Sequence, residues 1–504
     1  MVQLAKTVLR NSAYNFLGVF ATTFGGLIFS VILARMLGSE LFGLYHLALS
    51  VGLFFLTFTT LGLHSVLIRY VSDALGRKDE DLARGYIRYI TKIKVVLTIF
   101  TTLILLLLAK PLALYFFHKP EVYLPLIFIA IYILFQSSLD FVASLSISVQ
   151  RFDFMTARYI SYEVARIIII PSLIFLGFGI YGALAGLIIS VLLALVVAVI
   201  LICKDYTFLF KGAALEVDRP RVLRFLSYLT LGSVSGVIFT YIDSIMLGMF
   251  MPVESVGFYR IAISIIFAIL SLVSISQVLF PTFTQLQDAE VRDAFNKLFR
   301  YSSMLSFPSA LGLIFLSEPL IRMVYGSEYL PAVLPTRILA LLIIIFPFSY
   351  FGTLFNAREM PEYPAKLVVV SSSINIILNY VLILEYGIMG AAIATLISRC
   401  FNSIGLGYLS GRVFGIYPVW NVMYKPLISS MAMYLLISLL PGPSGIVSML
   451  GLVALGAAVY VLVMYAIKGA DKDDLIYLSR ATGQEKRLAG LFKFLRINIR
   501  EMEK

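Results

Sequence analysis

Cysteine is nearly absent. Cys203 and Cys400 are the only two in 504 residues, both deep in apolar sequence, which excludes a disulfide-stapled scaffold and a cysteine-built zinc site. Charge is almost as scarce: Asp, Glu, Lys and Arg make up 13% of the chain against 60% hydrophobic residues, and mean hydropathy is +0.95. Ordinary soluble domains carry roughly 25% charged residues, so that class is excluded and most of the surface must face lipid. No glycine-rich phosphate loop, metal-ligand cluster or nucleophile motif is present. The loops expected on the outer side are short, so neither an enzyme nor a cofactor is expected. Period-two alternation is missing too, which leaves helices as the spanning elements, because lipid forbids unpaired backbone.

What fills the chain is apolar helix length. A hydrocarbon core about 30 Å thick takes about 20 helical residues to cross, and about fourteen stretches reach it. Six are expected at 12–34, 43–68, 87–109, 122–148, 156–177 and 180–203, and six more at 225–249, 256–283, 301–317, 332–355, 365–384 and 387–411. Two further spans, 420–440 and 446–467, follow. The first has no small-residue cleavage site and is expected to stay as an uncleaved anchor. Pro171, Pro281, Pro308 and Pro347 fall inside or at the ends of spans, where each removes a backbone donor and permits a bend.

The second half repeats the first. Glu40, Gly43, Tyr45, Ala48 and Ser50 recur 214 residues later as Glu254, Gly257, Tyr259, Ala262 and Ser264. GIYGALAGLIIS from Gly179 returns as GIMGAAIATLIS from Gly387, an offset of 208. Six spans separate each pair, so equivalent helices cross in the same direction and the symmetry axis stands perpendicular to the bilayer. The fold class is therefore an all-α polytopic membrane protein, with two six-helix lobes related by a parallel pseudo-two-fold repeat plus two extra C-terminal helices. The expected divisions are a first lobe over 1–203, a linker over 204–224, a second lobe over 225–412, the extra spans within 413–469 and a cytoplasmic tail over 470–504. In that tail Leu488, Leu491, Phe492, Leu495 and Ile499 share a helical face, which suits a helix lying on the membrane surface or one packed against the loops.

The formal charge of +12 follows membrane topology rather than nucleic-acid binding. Arg69, Arg77, Lys78, Arg84, Arg88, Lys92 and Lys94 crowd one loop, and Lys204, Lys211, Arg219, Arg221 and Arg224 crowd another. The turns 177–181, 385–388 and 441–445 hold no Lys or Arg. The positive-inside rule then places both termini in the cytoplasm of a cell-membrane protein.

Ionisable residues within spans cost several kcal/mol to insert and mark candidate sites. Glu163 and Arg166 lie three residues apart on one helical face and can neutralise each other or face a water-filled cavity. Arg399 sits near mid-membrane without an acidic neighbour within a turn, so it must pair across helices or face water. Asp140, Glu163 and Asp243 are its candidate partners. Asp140 belongs to an unusually polar span with Gln136, Ser137, Ser138 and Ser144. His64 titrates near neutrality when solvated, though a hydrogen-bonded core role is the plainer reading. Asn375 and Asn379, one turn apart, suit packing between helices. Arg35, Arg69 and Arg260 stand at span ends, where snorkelling to the interface is the favoured reading.

The run SVILARMLGSELFGLYHLALS, the later YVSDALGRKDEDLARGY, IDSIMLG in span seven and VESVGFYRIAIS together resemble the polysaccharide-transporter, or oligosaccharide flippase, branch of the multidrug/oligosaccharidyl-lipid/polysaccharide exporter superfamily. That resemblance covers nearly the whole chain. It implies a V-shaped pair of six-helix bundles moving a lipid-linked oligosaccharide from the inner to the outer leaflet, with Asp243 and Arg260 at positions commonly polar in relatives. Physics supplies a reason for such a machine, since each sugar hydroxyl stripped of water without a partner costs several kcal/mol. On this reading the arginines, chiefly Arg166 and Arg399, attract the phosphate or pyrophosphate of a polyprenyl-linked saccharide while Ser, Asn, Gln and Tyr meet the sugar. The prenyl tail stays among membrane lipids, in a lateral gap between the lobes. Rocking of the lobes is driven by a Na+ or H+ gradient, by consumption of product outside, or by both. The rivals are a cation-coupled multidrug or metabolite antiporter on the same scaffold, a lipid II flippase and an integral-membrane glycosyltransferase or polymerase. The antiporter predicts a cavity richer in carboxylates and aromatics and poorer in arginine.

Overall fold

The computed structural model describes residues 2–273, 288–417 and 420–469. Among them there is helix and turn and no strand. The first lobe is built from α1 (Val2–Phe58), α2 (Leu63–Gly76), α3 (Glu80–Pro111), α4 (Tyr123–Ser148), α5 (Phe152–Leu173) and α6 (Gly179–Asp205). The second is built from α7 (Arg219–Phe250), α8 (Val253–Val273), α9 (Asp288–Val324), α10 (Val333–Ile345), α11 (Ser349–Ala357), α12 (Glu362–Tyr386) and α13 (Ile388–Phe414). Last come α14 (Trp420–Ser438) and α15 (Ile446–Ala466), packed on α9 and on each other.

Ten described segments are long and apolar enough to cross a membrane. Two of them fold back on themselves, at Gly38 (φ 75°) and at Gly177 (φ 92°). With the shorter apolar helices Phe239–Phe250 and Val422–Ser438, this gives the fourteen crossings expected. Apolar side chains such as Leu107 and Phe175 stand 77% and 86% exposed, the outward face that lipid must cover. The expected tail helix over 470–504 and the bend at Pro281 lie outside the described residues.

Local chemistry places the breaks. Asp79 and Asp218 cap α3 and α7, accepting from Leu82 N–H at 2.9 Å and Arg221 N–H at 3.1 Å, which satisfies orphan donors at each helix start. Pro171 is followed by a widened turn over Ile174–Phe178, and Pro347 sits in the 3₁₀ turn that splits the tenth span into α10 and α11. Pro308 lies within the unbroken α9. The expected second span, 43–68, is corrected: the chain breaks at Thr59–Gly62, where Leu61 and Gly62 take positive φ (42° and 84°). Gly179 and Gly387 hold the same backbone conformation, φ 51° with ψ −132° and φ 57° with ψ −129°, at the repeat offset of 208. Only glycine adopts that region freely.

The lobes meet where the repeats meet. A Cβ on Gly43 would stand 2.1 Å from the Val253 carbonyl oxygen, and one on Gly257 would stand 3.2 Å from Gly43 Cα. Helices α1 and α8 thus cross at equivalent glycines, close to the pseudo-two-fold axis. Toward the Gly38 end further bonds hold the lobes together. Arg35 donates to the Val324 and Met323 carbonyls at 2.7 and 2.5 Å, Ser39 N–H donates to Glu328 at 2.8 Å, and Tyr329 hydroxyl donates to the Ala34 carbonyl at 2.8 Å. Lys119 donates to the Gly248 carbonyl at 2.7 Å, and its burial pulls the ammonium below its ordinary pKa against the fields of Glu121 and Glu254. At the opposite end the linker lies on α3: Leu215 N–H donates to the Asp81 carbonyl at 3.1 Å, and Arg84 donates to the Ala213 and Phe208 carbonyls at 2.6 and 2.8 Å. Arg84, expected in a loop, is therefore a buried residue of α3.

Candidate functional site

Between the lobes lies a cavity of about 620 Å³, walled by α1, α4, α5 and α6 on one side and by α8 and Phe346 on the other. Its charged lining residues are Arg166 and Arg260, and His46 and the hydroxyl-bearing Tyr45, Tyr132 and Tyr162 line it with them. The Glu163/Arg166 pair read from the sequence is present. Arg166 Nη2 donates to Glu163 Oε2 at 2.6 Å, and its guanidinium carbon lies 4.3 Å from the centre of the Phe29 ring. The carboxylate is 2.9 Å from where a Cβ on Gly25 would sit, so small residues on α1 let this pair approach. Arg166 reaches the cavity wall, but Glu163 neutralises it.

Arg260 corrects the snorkelling assignment. Helix α8 begins at Val253, so Arg260 is about 10 Å into the bundle, where it lines the cavity with a buried Nε that has no hydrogen-bond partner. Among the described residues it makes no ion pair within 4.0 Å. His46 is 8% exposed, lines the same cavity from the α1 side, and both its ring nitrogens are buried without partners among the described residues. Phe42 and Tyr45 flank its ring edge-on at 4.5 and 5.2 Å. Sequence reasoning passed over His46. The signal was there, since 46 and 260 differ by the repeat offset of 214.

A second hollow of about 230 Å³ lies inside the second lobe and shares Ile263, Phe267, Leu270 and Phe346 with the first as a common wall. Here Arg399 stands 4.0 Å over the Phe239 ring in the company of Asp243, Thr395 and Asn402. Asp243, 4% exposed, accepts from Asn379 Nδ2 at 2.6 Å, Tyr259 hydroxyl at 2.7 Å and Thr395 hydroxyl at 2.6 Å. Asn379 also donates to Asn375 Oδ1 at 3.1 Å. The asparagines expected to pack helices together thus serve a buried carboxylate, and of the three candidate partners Asp243 is the one that shares a hollow with Arg399. At the repeat offsets the first lobe has Phe29, Tyr45, Leu187 and Val191 where the second has Asp243, Tyr259, Thr395 and Arg399.

Asp140 is paired elsewhere. It accepts from Gln136 Nε2 at 2.8 Å and from Arg158 at 3.2 Å, and Tyr132 hydroxyl donates to Gln136 at 3.2 Å. A hydrogen-bonded row on α4 therefore runs from the central cavity to Asp140. Arg158 was not singled out from sequence. Lys94, assigned to a loop, is a buried residue of α3, 3% exposed, that donates to Thr59 and Thr60 hydroxyls at 3.2 and 3.0 Å. It meets the broken C-terminal end of α1, where a cation is favoured. His64 lies on α2 with a buried, unpartnered Nε2, away from the residues lining either hollow. Arg69 is exposed on α2 and Arg35 belongs to the closure described above. Among the described residues no group of three or more His, Cys, Asp or Glu is placed to hold a metal.

Residues 8–287 match the model of the family described as polysaccharide biosynthesis protein, a match over more than half of the chain. The chain belongs to that family. It is 25% identical, over 70% of its length and 74% of the other's, to an uncharacterized membrane protein of Methanocaldococcus jannaschii. It is 29% identical to the probable flippase AglR of Haloferax volcanii, over 34% of this chain and 38% of that one. Among solved structures, the lipid II flippase MurJ in an inward closed conformation superposes with a TM-score of 0.75 at 18% identity, covering 91% of this chain and 98% of that one. That likeness gives the fold. The family read from the motifs of α1, α7 and α8 is thereby borne out, as is a multi-pass membrane protein.

Proposed function

We propose that this polysaccharide biosynthesis protein is a flippase that carries a lipid-linked oligosaccharide across the cell membrane by alternating access. The observation that carries this reading is Arg260, which makes no ion pair among the described residues and lines, together with the buried His46 imidazole, a cavity built from both lobes. A guanidinium in a partly dry cavity binds phosphate oxygens strongly. The remaining lining supplies tyrosine and serine hydroxyls, replacements for the water a sugar gives up. The cargo class is a saccharide on a polyprenyl phosphate or pyrophosphate, with its tail left among membrane lipids. One relative's printed name, a probable flippase, supports the transport reading.

The multidrug antiporter reading calls for a cavity richer in carboxylates and aromatics and poorer in arginine. Here Glu163 is bound to Arg166 and Asp140 to Arg158, so the central cavity carries net positive charge. Asp243, hydrogen-bonded by the neutral Tyr259, Asn379 and Thr395 and sharing its hollow with Arg399, is the place where a coupling ion acts, one wall away from the cargo. With the basic loops inside, both termini lie in the cytoplasm and the Gly38 end faces out.

The test is a deletion strain. Accumulation of lipid-linked saccharide on the inner leaflet with unchanged drug efflux supports the flippase. Loss of drug efflux with normal glycan export overturns it.

A further inference from the structure

A second basic pocket lies outside the central cavity, on the surface of the first lobe. It has a volume of about 380 Å³, opens between α3, α4 and α6, and includes Leu209 and Phe210 of the linker in its wall. Its charged lining residues are Arg88 and Lys92, and no carboxylate lines it. Arg88 uses one nitrogen to donate to the linker's Gly212 carbonyl at 2.8 Å, which holds the guanidinium at the rim with other N–H groups unused by that bond. Below the two cations the wall is apolar, formed by Phe141, Val142 and Val199. Val199 is 38% exposed and the adjacent Ile200 58% exposed, so this face meets lipid.

The chemistry is that of an amphiphile. A soluble polyanion would gain nothing from the apolar slot, and a neutral lipid nothing from two cations without a counter-charge. We propose that this pocket binds an anionic membrane phospholipid, with its phosphate between Arg88 and Lys92 and an acyl chain along Phe141, Val142 and Val199. Basic pockets between spans at the positively charged end of a bundle favour anionic headgroups. Because the linker forms part of the wall, the bound lipid fastens the linker to the first lobe and sets how freely the second lobe moves against it. This site does not depend on the cargo of the central cavity.

Cys203 lines the same pocket and is exposed, so with Cys400→Ser it becomes a sole thiol reporter. The full chain is reconstituted in nanodiscs of phosphatidylcholine alone or with phosphatidylglycerol, and the maleimide labelling rate of Cys203 is measured. Phosphatidylglycerol is expected to protect the thiol. Arg88→Gln with Lys92→Gln is expected to raise the amount needed by about 30-fold, from about 1 kcal/mol per removed charge. Val199→Trp fills the slot, leaves both cations and is also expected to remove protection. Arg88→Lys with Lys92→Arg keeps the charges and is expected to retain it. Equal protection by phosphatidylcholine, no protection of the wild-type thiol, or protection by polyprenyl phosphate at far lower amounts than phosphatidylglycerol each overturns the assignment.

Discussion

His46 and Arg260 occupy the same position in the two repeats, 214 residues apart, and both line one cavity with buried nitrogens that find no partner among the described residues. Buried donors left unmade cost about 1 to 3 kcal/mol each, a cost a folded protein retains where a ligand supplies the missing acceptor. On the proposed function the two lobes offer a shared anion one guanidinium and one imidazole from related places around the axis. Replacing His46 by Ala is expected to slow cargo flipping about tenfold, the loss of one hydrogen bond to a charged group. His46→Arg keeps a donor at that place and is expected to retain more activity than His46→Ala. Initial flipping rates of the two variants at matched surface expression check this.

The Glu163/Arg166 pair is mostly shielded from water, with side-chain exposures of 8% and 15%. Removing one partner leaves a buried charge uncompensated, which costs about 3 to 5 kcal/mol, whereas removing both is far milder. Glu163→Gln is accordingly expected to lower thermal stability more than Glu163→Gln with Arg166→Gln. Unfolding midpoints in one detergent decide it, and an equal or larger loss in the double variant would count against the pairing.

Gly43 and Gly76 give a matched contrast. A methyl at Gly43 meets the Val253 carbonyl at 2.1 Å, while one at Gly76 meets nothing within 4 Å. Gly43→Ala is expected to force α1 from α8 and cost about 1 to 3 kcal/mol. Gly76→Ala, at a helix end, is expected to be neutral or slightly stabilising. Thermal melts of the two variants settle the matter.

Alternating access requires the Gly38 end to open. Ser39 and Glu328 are in hydrogen-bond contact across the lobes there. Cysteines at those two positions, in a background with Cys203→Ser and Cys400→Ser, are expected to stop flipping when cross-linked and to release it on reduction. Full transport by the cross-linked protein would show that this end need not part.

Spans, repeat and polar pairs close in sequence were legible before the structure. The repeat pattern pairs Gly179 with Gly387, which share one backbone conformation, and helical spacing alone brings Glu163 to Arg166. Depth and long-range partnership were not. The sequence puts Arg260 at a span end and Lys94 in a basic loop, but α8 and α3 begin seven and fourteen residues earlier, at Val253 and Glu80, so both side chains lie inside their helices. Asn379 meets Asp243 across 136 residues, a separation no periodicity records. The break at Thr59–Gly62 hid inside an apolar run because a single glycine interrupts a helix pattern without announcing its φ.

Flipping of a polyprenyl diphosphate-linked oligosaccharide, measured in proteoliposomes carrying equal amounts of wild-type and Arg260→Ala protein, tests the phosphate-binding role of the central cavity most directly. The expected result is rapid flipping by the wild type, a loss of about tenfold or more in Arg260→Ala and partial recovery in Arg260→Lys. Wild-type rates in Arg260→Ala would contradict the account.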